Sequence, residues 1–177
     1  MARKSEPEYF IGIDNGNTGT IGITDKDGSP IMFEKTPVHT VKGVHRLDHD
    51  KFKEILSRYR GKSIALIERP MLNPKRWKAS ISATRCDEAM KVILEQLGIP
   101  YEQIDSRQWQ HQLFTGVYEH LTTKQASIDL GNQTFPEYIQ HKHPDRDGIL
   151  IAFFGATHPE FFEHRNKKTQ KRKKNEQ

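Results

Sequence analysis

Apolar positions fall in two rhythms along this chain, and the change of rhythm divides it. From Tyr9 to Phe33 they come in short runs. Tyr9-Phe10-Ile11-Gly12-Ile13 is followed by the alternation Thr20-Ile21-Gly22-Ile23-Thr24, then by Ile31-Met32-Phe33. These runs predict three strands, with Asp27-Gly28 as the hairpin turn between the second and third. Residues 37–47, rich in His and Val, are expected to form a loop. Asp48 is the expected cap of a helix to about residue 59, with Phe52, Ile55, Leu56 and Tyr59 on one face. Residues 63–67 read as a short buried strand. Ala83, Cys86, Met90, Ile93, Leu94 and Leu97 then recur at helical spacing, which predicts a long helix over 79–97 stopped by Gly98. Residues 100–104 read as another strand. Two shorter helices are expected near 107–113 and 124–130, the second capped by Thr122 or Thr123. Pro144 suits the first turn of a last helix running to about Gly155. A strand meander followed by strand–helix alternation implies an α/β fold, a mixed sheet with helices on its faces.

A chain of 177 residues suits one domain with a proper core. No stretch approaches the ~18–20 apolar residues of a membrane span, and Met-Ala-Arg-Lys-Ser-Glu lacks the apolar core of a signal peptide. Cys86 is the only cysteine, so disulfides and cysteine-based zinc sites within the chain are excluded and a cytoplasmic setting is expected. The charge of +5 changes this picture only once it is located. Residues 165–177 carry Arg165, Lys167, Lys168, Lys171, Arg172, Lys173 and Lys174 against Glu176 alone, which leaves 21 basic and 22 acidic residues elsewhere. We expect a folded unit over 1–160 and a basic, disordered tail over 161–177. Either the tail only solubilises the chain, or Lys171, Arg172, Lys173 and Lys174 contact phosphate backbones through counterion release.

Carboxylates adjoin the apolar runs. Asp14 closes the first, Glu68 closes Ile64-Ala65-Leu66-Ile67, and Asp147 opens Gly148-Ile149-Leu150-Ile151-Ala152, with Asp145 two residues before it. Acids so placed are costly to desolvate without a partner, and a cluster drawn from distant segments suits a hard divalent metal. Each also has a plainer account. Asp14 and Asn15 form turns, Glu68 could pair with Arg69, and Asp145 and Asp147 complement a helix dipole. Asp14-Asn15-Gly16-Asn17-Thr18 also resembles the phosphate hairpin of actin-like and sugar-kinase ATPases, which need about twice this length. After Glu68, Arg69, Lys75, Arg76, Lys78 and Arg85 interleave with Met71, Leu72 and Trp77. That mixture suits phosphate contact with base stacking or insertion, the alternative being a solvated basic loop. Cys86, on an apolar helical stripe, reads as core rather than nucleophile. No phosphate-binding Gly-rich loop is present, so the inventory favours metal-assisted phosphodiester hydrolysis by two ions.

Ile-Gly-Ile-Asp14, Ile-Glu68 and Asp147-Gly-Ile-Leu-Ile-Ala, in this order, resemble the RuvC-type Holliday junction resolvases and among them the small phage-encoded members. Leu97-Gly-Ile-Pro100, Asp105-Ser-Arg-Gln-Trp109 and Phe135-Pro136 extend the likeness over residues 9–156. The resemblance implies an RNase H-like fold of five strands, a homodimer, and paired nicking of branched DNA with Mg²⁺ or Mn²⁺ that leaves 5′-phosphates. It implies Asp14, Glu68 and Asp147 as metal ligands, with Asp145 as the fourth and His143 as its alternative, and Lys124 as a contact to the scissile phosphate. No small-molecule cofactor is implied. Where the family carries an aromatic wedge this chain has Met71 and Leu72, with Trp77 later. A flap- or RNA-cutting relative and a non-catalytic nucleic-acid-binding module are the other readings.

Overall fold

The computed structural model describes residues 6–143 and 145–162. In chain order the elements are β1 (Tyr9–Ile13), β2 (Thr20–Asp25), β3 (Pro30–Lys35), β4 (Val38–Val41), β5 (Val44–Leu47), α1 (His49–Ser57), β6 (Ser63–Glu68), α2 (Trp77–Leu97), β7 (Tyr101–Ile104), α3 (Ser106–Leu113), α4 (Thr123–Thr134) and α5 (Asp147–Thr157). Five strands form one mixed sheet in the order β3-β2-β1-β6-β7. β1, β2 and β3 are the antiparallel meander, while β6 lies parallel to β1 and β7 parallel to β6. The expected fold class is thus present.

Local chemistry sets the boundaries. Asp48 accepts the backbone N–H of Lys51 at 3.1 Å to start α1. Gly98 ends α2 at φ +66°, a left-handed value open to glycine. Asp105 and Gln108 cap the start of α3 reciprocally, and Thr122 caps α4. Two boundaries differ from expectation. A 3₁₀ turn over Pro74–Arg76 feeds α2, which opens at Trp77. The last helix opens only at Asp147, so Asp145 precedes it; Pro144 lies outside the described residues.

Residues 37–47 are not a loop. β4 and β5 pair antiparallel as a separate two-stranded hairpin around Lys42-Gly43, whose φ values of 49° and 76° are those of a twist-matched hairpin turn. Only Leu47 among its strand residues is buried. With both faces wet, no alternation of apolar and polar residues marked the strands.

The sheet separates two cores. On one face α1 and α2 pack Phe52, Leu56, Cys86, Met90 and Leu94 against Ile11, Ile13, Ile21 and Ile23. On the other, Leu66, Ile104, Trp109, Phe135, Ile149 and Leu150 form a core to which Phe161 and Phe162 add their rings. Each fully buried Leu or Ile stabilises by about 1.5–3 kcal/mol relative to exposure. Cys86 is core, as expected, and burial pushes its thiol up to about 11. No helix among the described residues is long and apolar enough to cross a membrane.

At its first turns α5 lies directly against the backbone of the sheet. A Cβ at Gly12 would stand 2.2 Å from Ala152 N and Gly148 O, and one at Gly22 would stand 2.2 Å from Ile149 Cα. Gly12 and Gly22 are paired across β1 and β2, so together they form a smooth seat for the helix. Gly148 completes it by donating its N–H to Thr20 Oγ1 at 3.0 Å.

Candidate metal centre

Parallel pairing of β1 with β6 sets Ile13 opposite Ile67, so the residues that follow them, Asp14 and Glu68, emerge at the same end of the sheet, in its middle. The glycine seat brings the first turn of α5 to that end, and with it Asp147. Thr20 holds both segments. Its carbonyl accepts from Asp14 N at 3.0 Å, while its hydroxyl accepts from Gly148 N. One ligand oxygen from each of Asp14, Asp145 and Asp147 lies within 4.8 Å of the others. Glu68 stands beside this trio but outside that distance. Its Oε2 accepts the Nε1–H of the fully buried Trp109 at 2.8 Å.

The electrostatics are those of crowded acids. Burial, then the charges of Asp147, Glu68 and Asp145, raise the Asp14 carboxyl well above its ordinary range. Burial drives Glu68 to about 7, against the Trp109 hydrogen bond that lowers it. Burial likewise drives Asp147 to about 6, opposed by a hydrogen bond from Ser127 and by His143. Among the described residues no Lys or Arg pairs with any of these four acids; Arg69 pairs with Asp105 at 3.3 Å instead of with Glu68. Hard oxygen donors that are half-buried, mutually repelling and without Lys or Arg partners among the described residues fit a divalent cation.

His143 stands behind the trio. Its Nε2 donates to the Thr18 carbonyl at 3.1 Å, since a carbonyl can only accept, and its Nδ1 lies 3.2 Å from Asp145 Oδ1. In the neutral ring Nδ1 is then an acceptor, and it takes the Asp145 backbone N–H at 3.4 Å, which ties Asp145 to the Thr18 loop. Ser127 Oγ donates to Asp147 Oδ1 and accepts from Arg146 N at 3.0 Å. Arg146 is buried, and its guanidinium donates to the carbonyls of Tyr138, His143 and Asp145 and to Asn132 Oδ1. Gly131 on α4 leaves room for it, because a Cβ there would stand 2.4 Å from the Arg146 side chain.

Trp109, Ser127 and Arg146 are site residues that the sequence reading did not single out for these roles. Arg146 sits between two candidate acids, a signal for buried pairing. Its actual partners are mostly carbonyls, which no sequence pattern marks. Asn15, next to Asp14, has both ends of its buried amide without a hydrogen-bond partner among the described residues. That is a further mark of a loop built around something polar.

The basic candidates divide. Lys75 and Arg76 lie in the 3₁₀ turn, while Trp77, Lys78 and Arg85 lie on α2, all exposed. Met71 and Trp77 are 79% and 68% exposed, apolar groups left in water beside cations. Lys124 is exposed in the first turn of α4. Arg69 is spent partly on Asp105. Lys171, Arg172, Lys173 and Lys174 lie outside the described residues.

No family model and no curated protein matches the sequence. Solved structures do match in three dimensions. The Thermus thermophilus RuvC structure superposes with a TM-score of 0.65 at 18% identity, over 86% of this chain and 96% of that one. T. thermophilus RuvC in complex with Holliday junction substrate superposes with a TM-score of 0.64 at 17% identity, over 84% and 93%. The fold is RNase H-like, as the resemblance implied, and its likeness to RuvC covers nearly the whole of both chains.

Proposed function

We propose that this chain is a metal-dependent endonuclease that resolves four-way (Holliday) and other branched DNA junctions by paired phosphodiester hydrolysis, leaving 5′-phosphates. The observation that carries this is the convergence of Asp14, Asp145 and Asp147 within 4.8 Å, with Glu68 beside them, in a RuvC-like fold. Asp14, Asp145 and Asp147 would hold Mg²⁺ or Mn²⁺, with Glu68 completing a site for two ions and His143 as the alternative fourth ligand. When bound, such ions supply an activated water and a counter-charge for the leaving oxygen.

The chain's own residues prepare that site. Trp109 fixes the Glu68 carboxylate and keeps it more acidic than burial alone would allow. Ser127 does the same for Asp147. Arg69, Met71, Lys75, Arg76, Trp77, Lys78, Arg85 and Lys124 are the proposed DNA contacts, with Lys171, Arg172, Lys173 and Lys174 adding affinity from the tail. Paired nicks require two sites, which a homodimer supplies. Residues 1–160 would form the nuclease domain, working in the cytoplasm, or in the host's if the chain is phage-encoded.

The test is incubation with a labelled immobile four-way junction, a flap, an RNA hairpin and a linear duplex in Mg²⁺ and in Mn²⁺, beside Asp14→Asn. Symmetric junction nicks that vanish in the variant are the expected result. Preference for the flap or the RNA removes the resolvase and keeps the nuclease. Tight binding without any cutting removes both.

A further inference from the structure

The β4–β5 hairpin stands apart from the main sheet and faces α2 across an open groove of about 860 Å³. Arg46, Lys78 and Arg85 line it together with the imidazoles of His39, His45 and His49, and no carboxylate lines it. The side chains of Arg46, Lys78 and Arg85 have neither an ion pair nor a hydrogen bond among the described residues. Some exposed cations elsewhere are offset by a neighbouring acid, as in Lys26–Asp27 and Lys62–Glu8. Here like charges face one groove with nothing to offset them. Their repulsion is relieved by a polyanion.

The groove is also tied to the carboxylates. Asn17 lines it, and its Nδ2 donates to the His45 carbonyl at 2.8 Å and to Ser82 Oγ at 2.9 Å. One amide from the Asp14 loop thus pins the hairpin on one side and α2 on the other. Three residues span at most about 10 Å, and a DNA strand advances about 3.4 Å per nucleotide. The groove therefore begins within about three nucleotides of the acids.

We infer that the groove between the hairpin and α2 is a phosphate-backbone track for the DNA arm beside the cleavage point, with Arg46, Lys78 and Arg85 as its contacting cations. The inference rests on the nuclease reading for the identity of the polyanion. Arg46 extends the contact surface onto the hairpin, which the basic run after Glu68 does not reach.

Binding of a fluorescein-labelled junction, followed by anisotropy in EDTA from 50 to 200 mM salt, tests the track without cleavage. Each phosphate left without its cation lowers the slope of log affinity against log salt by about 0.9, so the fall in affinity over that range shrinks about 3.5-fold per arginine removed. Arg46→Ala should show one such step, Arg46→Ala/Arg85→Ala two, and Arg46→Lys none. An unchanged slope in a double variant that melts like the wild type overturns the track, as does an equal effect in Arg46→Lys. Cleavage by the wild type is scored separately. Nicking with an unchanged slope sinks the track alone, and the expected slopes without nicking sink the nuclease alone.

Discussion

Among the described residues Glu68 has one hydrogen-bond donor at its carboxylate, the indole of Trp109, and this gives the pair a testable asymmetry. The bond lowers a pKa that burial raises. Trp109→Phe keeps most of the ring's volume and removes the N–H, so the Glu68 carboxyl should titrate above its present value of about 7. Carboxyl-carbon NMR of the metal-free protein reads this directly; an unmoved titration would show that the indole does not set the charge on Glu68. Losing the donor should also lower stability by about 1–3 kcal/mol, measurable by denaturant unfolding. A second consequence concerns pH. Glu68 and Asp147 titrate at about 7 and about 6, above their ordinary values of 4.5 and 3.8. The folded chain therefore holds protons that the unfolded chain has released. Stability conferred by these protons is full below pH ~4 and is lost as pH rises through 6 and 7. Metal-free protein should melt at a higher temperature at pH 5 than at pH 8, and Mn²⁺ should restore the difference at pH 8 by mass action. A melting temperature that rises across that interval without metal would contradict the crowded-acid account.

At the level of elements, the Gly12–Gly22 seat makes the position of α5 a backbone matter. Gly22→Ala would drive a methyl into Ile149 Cα, which cannot rotate away, and should cost about 1–3 kcal/mol or more. Because Asp147 rides on α5, the same change should weaken Mn²⁺ binding in calorimetry; full affinity in the folded variant would detach the helix from the site. Much of this architecture was legible beforehand. Asp14, Glu68 and Asp147 were readable because each adjoins an apolar run, and a carboxylate next to a core is conspicuous. The meander and the long helix were readable from their periods. What was hidden has a physical reason in each case. The β4–β5 hairpin exposes both faces, so burial left no trace in its sequence. The last helix starts after Asp145, not before it, because its first turn is set by the contact of Gly148 with Thr20 rather than by any local signal. Ser127 and Trp109 act through contacts 20 and 41 residues away, and no local pattern encodes those.

For the molecule as a whole, the clustered acids sit at one end of the sheet, and the hairpin, the 3₁₀ turn and α2 beside them carry cations without acid partners among the described residues. Electrostatic steering of a polyanion toward such an arrangement is strongly salt-dependent. The segment 165–177 adds seven more cations. Deleting it should flatten the salt dependence of DNA binding by up to about 6 in log–log slope, if each cation meets a phosphate. An unaltered slope, measured by anisotropy in the same buffers, would leave the tail as a solubilising terminus only.

Arg146 has a bearing on how the centre behaves when it is empty of cations. Its charge persists at any pH the fold survives, and it fastens the chain from Tyr138 to Asp145 through carbonyl oxygens, which do not titrate either. The fastening of the acidic loop by Arg146 is therefore indifferent to the protonation of the acids it carries. Cations arriving at the centre meet a prebuilt cradle and not a segment that must first order itself, so the entropy of assembling the ligands was met when the chain folded.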